Sequence, residues 1–271
     1  MTTILEAIVL GIIQGLTEFL PISSSGHLIL AEWATGWKGE LMNSLTFDVA
    51  LHVGTLAAVL WYFWRDWLHL GKAVLRVVQG RAQAYEARLV WYIVLATVPA
   101  VIFGLTLEHT VETIFRNPLL VASALAAGSL VLWLADRYST RSRHLGDMTL
   151  PHALFVGVAQ AFALVPGVSR SGITISAALA AGYRREDSAR FSFLLSTPVI
   201  AGAAFHKAGH ITFQGHAAWG CILGTLSSAV VGYLAIRFLI RYVERHSMNV
   251  FVWYRLVLAG LVVLAWAVKS T

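Results

Sequence analysis

Apolar runs and short polar breaks alternate along this chain, and the lengths of the runs sort them into two kinds. Runs at about 46–64, 89–107, 118–135, 190–207, 217–240 and 249–268 come near the twenty or so residues a helix needs to cross a bilayer. They predict six transmembrane helices. Two other stretches are broken in the middle. Pieces at about 3–20 and 23–35 meet around Pro21, and pieces at about 151–165 and 169–182 meet around Pro166-Gly167. Each piece is too short to cross comfortably and proline ends helices, so each stretch predicts a re-entrant helix pair.

The two broken stretches resemble each other. An ungapped shift of 146 positions aligns Gly11 with Gly157, Gln14 with Gln160, Ser23 with Ser169, Ser25 with Ser171 and Gly26 with Gly172. Each repeat is then one re-entrant pair followed by three crossings. An odd number of crossings makes the second half enter the membrane upside down. The expected fold is all-α and polytopic: six transmembrane helices and two re-entrant pairs in an inverted-topology repeat. A single integral membrane domain, residues 1–271, would comprise halves of about 1–140 and 148–271. The two tips would dip in from opposite sides and meet near the midplane, at one shared site.

Composition agrees with a membrane protein. Hydrophobic residues make up 58% of the 271, charged residues 13%, and mean hydropathy is +0.70; a soluble chain could not hide so much apolar surface. The stretch from Ile4 to Leu16 has no basic flank or small-residue cleavage site, so it reads as a helix that stays. Cys221, the one cysteine, has no internal partner and reads as a small buried hydrophobe. A net charge of +6 does not point to nucleic acid, because the basic residues are spread over loops between apolar spans. One set of loops holds Arg65, Lys72, Arg76, Arg81, Arg88, then Arg137, Arg141, Arg143, then Arg184, Arg185, Arg190, then Arg237, Arg241, Arg245. The other holds only Lys38, Arg116, Lys207 and Lys269. By the positive-inside rule the first set is cytoplasmic and both termini lie outside. Trp61, Tyr62, Trp64, Trp67, Trp91 and Tyr92 fit an aromatic belt or ordinary packing equally well.

Both tips carry candidate chemistry. Ser23-Ser24-Ser25-Gly26-His27 opens a short apolar helix, and Ser169-Arg170-Ser171-Gly172-Ile173-Thr174 opens another. Free amides and hydroxyls at a helix N-terminus suit an anion, and an added guanidinium suits phosphate or diphosphate. Arg170 at membrane depth needs a partner, either a ligand anion or Glu18, and the two are compatible. Gln14 and Glu18 share a helix face. His27 could act as base or nucleophile, and Ser24 or a neighbouring serine could attack with His27 as base; spacing does not choose. Asp48 and His52, at i and i+4, line the same cavity or sit at the interface, and the matching run Phe191–Pro198 carries Ser196 and Thr197. His206, His210 and His216 show no metal-ligand spacing.

These motifs resemble the bacterial undecaprenyl-diphosphate phosphatase family, the bacitracin resistance proteins, over the whole chain. Gln14, Glu18, Pro21, Ser23, Ser24, Gly26 and His27 match one signature, and Pro166-Gly167-Val168-Ser169-Arg170-Ser171-Gly172-Ile173-Thr174 the other. The resemblance implies a hydrolase of the bacterial inner membrane that converts undecaprenyl diphosphate to the monophosphate carrier of cell-wall glycans, in a cavity open to the periplasm. It implies catalytic roles for Glu18, His27, Ser24 and Arg170, and substrate binding by Gln14, Ser23, Ser25, Ser169, Ser171 and Thr174. Stimulation by a divalent cation such as Mg or Ca is implied too, with its ligands unassigned; Gln14, where glutamate is common, argues against a two-carboxylate metal site. Partners would be the lipid substrate and membrane lipid, not nucleic acid, and a homodimer is permitted. A transporter or flippase shares inverted repeats and a midplane anion site, and a dual role stays open, but the cluster of serine, histidine and glutamate favours an enzyme. In a purely structural subunit the tips would only pair the halves.

Overall fold

Within hydrocarbon each backbone amide and carbonyl must be bonded internally, so apolar runs close into helices. The computed structural model describes residues 2–36, 45–80, 85–114, 117–208 and 216–270. In it the first re-entrant pair is α1 (Thr2–Phe19) and α2 (Ser24–Thr35), followed by α3 (Leu45–Tyr62), α4 (Trp64–Val78), α5 (Tyr85–Ile114) and α6 (Pro118–Tyr138). The second pair is α7 (Leu150–Ala161) and α8 (Arg170–Ala180), followed by α9 (Arg185–Ala208), α10 (His216–Val243) and α11 (Asn249–Ser270). The helices α5, α6, α9, α10 and α11 are long and apolar enough to cross a membrane, and α3, bent by 73° into α4, makes the sixth candidate span. This is an all-α polytopic membrane protein. Lys38, Arg81, Arg116 and His210 lie outside the described residues, as do the side chains of Lys207 and His216.

One expectation is corrected. The segment bearing Arg65, Lys72 and Arg76 is not a loop but helix α4, because its residues sort onto three helix faces. Leu70 and Ala73 are buried, Trp64, Leu68, Leu75 and Val78 are exposed apolar residues, and Arg65, His69, Lys72 and Arg76 recur at helical spacing between those two stripes.

Elements of the two halves pack crosswise. α1 runs along α10 and α7 along α5, while α3 meets α9 and α6 meets α11. The repeated glycines explain the closeness: a Cβ on Gly11 would strike the backbone of Gly224, and one on Gly157 would lie 2.7 Å from Cα of Ala96. Gly157→Val is expected to force α7 off α5 and cost about 1–3 kcal/mol or more, read as a lower melting midpoint in detergent; an unchanged midpoint would show that the contact is slack.

The main core centres on Phe19, Phe63 and Phe193, with Phe19 edge-on to Phe193 at 5.5 Å. Cys221 is free and buried beside Ala7, Leu10 and Phe47. Large apolar side chains exposed along α5, α10 and α11, such as Ile102, Leu226 and Leu261, would be ruinous in water and are ordinary against lipid. Arginines group where helix ends meet: Arg185 forks onto Asp136 at 2.5 and 3.0 Å, Asp136 also accepts from the Met248 amide, and Arg190 meets Asp66 at 2.6 Å. Elsewhere Lys269, at the end of α11, lies 4.3 Å over the Trp33 ring of α2.

Candidate active site

Pro21 and Pro166 end the first arm of each pair, and the serine that opens each second arm takes an unusual backbone. Ser23 (φ 78°) and Ser169 (φ 74°) are both non-glycine residues at positive φ, a conformation that persists only where the surroundings enforce it. Each serine caps its helix, Ser23 accepting from the Gly26 amide and Ser169 from the Gly172 amide.

The two tips are laced together. Ser23 Oγ also accepts from the Gly167 amide of the other tip at 3.0 Å, and Ser171 Oγ donates to the Leu20 carbonyl at 3.0 Å. Arg255 of α11, 0% exposed, donates to the carbonyls of Pro21 at 3.3 Å, Gly167 at 2.9 Å and Val168 at 3.0 Å. Ser169 pairs with Ser171, and Thr174 with Arg170 O and Ser192 Oγ. The tips meet, and the hydroxyls of Ser23, Ser169, Ser171 and Thr174 are occupied in holding them.

Beside this lacing lies a polar cluster. Glu18 is 7% exposed. Its Oε1 accepts from Arg170 Nη2 at 2.7 Å, and its Oε2 accepts from Ser24 Oγ at 2.5 Å and Gln14 Nε2 at 3.1 Å. Arg170 gives Glu18 one arm only. Its Nη1 is buried and has no partner among the described residues, as does Gln14 Oε1. A buried guanidinium donor without an acceptor is costly, and an anion would satisfy it. Ser25 is exposed on the same first turn of α2, 3.5 Å from Ser23 Oγ. Gln160, the repeat mate of Gln14, is buried with no partner for its amide among the described residues.

His27 is turned elsewhere. Its Nδ1 lies 2.7 Å from the Ser23 carbonyl and its Nε2 lies 2.8 Å from the Tyr254 hydroxyl, with the two rings parallel within 6°. A carbonyl only accepts, so Nδ1 carries the proton and the neutral ring receives the Tyr254 proton at Nε2. The hydrogen-bond acceptor of Ser24 is therefore Glu18 and not His27, and the histidine tautomer is fixed by the Ser23 backbone carbonyl rather than by Glu18 or a serine side chain.

His52 lies within electrostatic range of Glu18, bringing α3 to the site, while its Nδ1 bonds the Asp48 carbonyl. Ser196 and Thr197 bond back to Phe193 O within α9. No group of three or more His, Cys, Asp or Glu able to hold a metal occurs among the described residues. Sequence reasoning missed Arg255 and Tyr254. A lone arginine two turns inside an apolar span was the available signal, the same kind that singled out Arg170.

Two discontinuous helix pairs meeting at a guanidinium, a carboxylate and a hydroxyl define a polytopic membrane protein with a polar cluster between its two tips. The family model described as "Bacitracin resistance protein BacA" matches residues 7–261, so the chain belongs to the bacitracin resistance protein family. It is similar to proteins named undecaprenyl-diphosphatase from Moorella thermoacetica (49% identity, 96% of this chain and 97% of the relative) and Desulforudis audaxviator (51% identity, 97% of each). A protein of the same name from Geobacter metallireducens is 49% identical over 96% of this chain and 97% of its own length.

Proposed function

We propose that the chain is an undecaprenyl-diphosphate phosphatase that hydrolyses undecaprenyl diphosphate to the monophosphate and inorganic phosphate, renewing the lipid carrier for cell-wall synthesis. The observation that carries the mechanism is the unsatisfied Nη1 of Arg170 beside the short Ser24–Glu18 hydrogen bond. The terminal phosphate accepts from Arg170 and competes with Glu18 for it. As that ion pair loosens, Glu18 becomes a better base for the Ser24 proton. Ser24 Oγ bonds to the terminal phosphorus, the bridging P–O bond breaks, and the lipid monophosphate leaves. Arg170 stabilises the charge on the transferring group. Glu18 then holds the serine proton, so the base left for water is His27 Nε2, reached through the Tyr254 hydroxyl that already donates to it. Water attacks the phosphoserine, Ser24 recovers its proton from Glu18, and phosphate departs with the proton taken by His27. A carrier without chemistry needs donors for the anion but no nucleophile held 2.5 Å from a carboxylate.

Gln14, Ser25 and the N-terminus of α2 border the phosphate, while Ser23, Ser169, Ser171 and Thr174 act on substrate by holding the cradle's shape. A resident divalent cation does not fit this donor set: Mg²⁺ and Ca²⁺ need about six or more oxygens, and Glu18 already serves Arg170, Ser24 and Gln14. Mg or Ca would arrive on the diphosphate. The matched glycines and caps support two inverted halves, and the arginine distribution supports termini outside; the opening of the site to the periplasm rests on the family resemblance.

The covalent step is tested by single-turnover quenching with a terminally labelled polyprenyl diphosphate. Label on Ser24 supports it; full turnover with no labelled protein at any time point contradicts it. Tyr254→Phe removes one hydrogen bond to His27, worth about 1 kcal/mol. The expected result is a roughly fivefold lower kcat with KM and melting midpoint little changed; a rise in KM alone would make Tyr254 a binding residue instead.

A further inference from the structure

Helix α4 carries features that the reaction does not use. Between its buried stripe and its exposed apolar stripe run Arg65, His69, Lys72 and Arg76, all exposed. A helix with one face in the core, one in lipid and a cationic edge between them lies along the membrane surface at headgroup level. Beside that edge is a cleft of about 460 Å³ between α4, α5 and α9. Its floor is apolar, from Leu70, Leu89 and Leu194, and its rim carries His69, Lys72 and Arg76. Asp66 and Arg190 also line it, but they pair with each other at 2.6 Å and so cancel while tying α4 to α9. Lys72 and Arg76 have no hydrogen bond or ion pair among the described residues. The cleft therefore offers two cations without an ion-pair partner among the described residues, above an apolar floor and next to an exposed apolar stripe.

We propose that this cleft binds the phosphate headgroup of an anionic membrane lipid, with Lys72 and Arg76 on the phosphate and the first acyl carbons over Leu70 and Leu89. Basic pockets between helices at a membrane surface take such headgroups, and each basic contact contributes about a fivefold factor in affinity. The residues are separate from Glu18, Ser24 and Arg170, so the proposal stands apart from the phosphatase reading.

The test is native mass spectrometry of the full chain in mild detergent, titrated with phosphatidylglycerol, with phosphatidylcholine, with polyprenyl monophosphate and with millimolar inorganic phosphate. Wild type should retain one phosphatidylglycerol in preference to phosphatidylcholine, unaffected by free phosphate. Binding of the polyprenyl monophosphate at the same cleft would extend the same chemistry to the product lipid. The double variant Lys72→Gln/Arg76→Gln should bind phosphatidylglycerol about thirtyfold more weakly, while Lys72→Arg/Arg76→Lys keeps the affinity. Both variants should melt like wild type and release phosphate normally in detergent. Equal retention of phosphatidylglycerol by wild type and the glutamine variant would overturn the proposal, and so would displacement by free phosphate.

Discussion

Arg170→Ala is expected to release phosphate from a long-chain polyprenyl diphosphate about a thousandfold or more slowly than wild type, while still folding. Loss of one preorganised donor to a developing oxyanion costs about 10²–10³ in rate, and arginines on a transferring phosphoryl group are worth about 10³–10⁵. Arg170 also pairs with buried Glu18, and breaking a buried pair costs about 3–5 kcal/mol when the other charge is stranded. Here Glu18 keeps bonds from Ser24 and Gln14, so the penalty falls at or below the low end. The tips keep their bonds through Ser23, Ser171 and Arg255. Ser24→Ala separates activity from stability more cleanly, because Ser24 is small and only half-buried: its melting midpoint should stay near that of wild type while turnover falls by a similar factor. Paired rate and melting measurements check both variants. An Arg170→Ala chain that fails to fold would instead favour a purely structural role for the pair.

Arg255→Met is expected to do the reverse, removing stability first. Its guanidinium serves three carbonyls from two tips, and each buried group left unsatisfied costs about 1–3 kcal/mol. The expected loss is several kcal/mol, about 10 °C in melting midpoint at roughly 2–4 °C per kcal/mol for chains of similar size. The surviving folded fraction should lose activity, because the strained backbones at Ser23 and Ser169 have lost a restraint. A midpoint near that of wild type would show that Ser23 and Ser171 suffice to hold the tips.

These two arginines also show what was legible in the sequence. Arg170 stood in a broken apolar stretch beside proline, glycine and serine, so its depth and its pairing with Glu18 could be reasoned from the cost of a lone intramembrane charge. Arg255 carried that cost within an unbroken span, where no tip marked it, and its three acceptors come together only when the halves cross. Helix bounds were legible because apolar length and Pro21 or Pro166 set them locally. The division of labour among the serines was not. Ser23, Ser24 and Ser25 are adjacent, yet one braces the other tip, one meets Glu18 and one is exposed, an outcome decided by a backbone turn at Ser23. α4 was hidden by its own chemistry: three narrow stripes, none wide enough to resemble a crossing, made a helix look like a charged loop.

The most direct test of the joined site is phosphate release from a long-chain polyprenyl diphosphate by purified wild type, Ser24→Ala, Arg170→Ala and the double variant, each shown to be folded. One site acting as a unit predicts release by wild type, a large loss in each single variant, and a double variant little worse than the weaker single. Losses that multiply in the double variant, or singles that turn over like wild type, would contradict it.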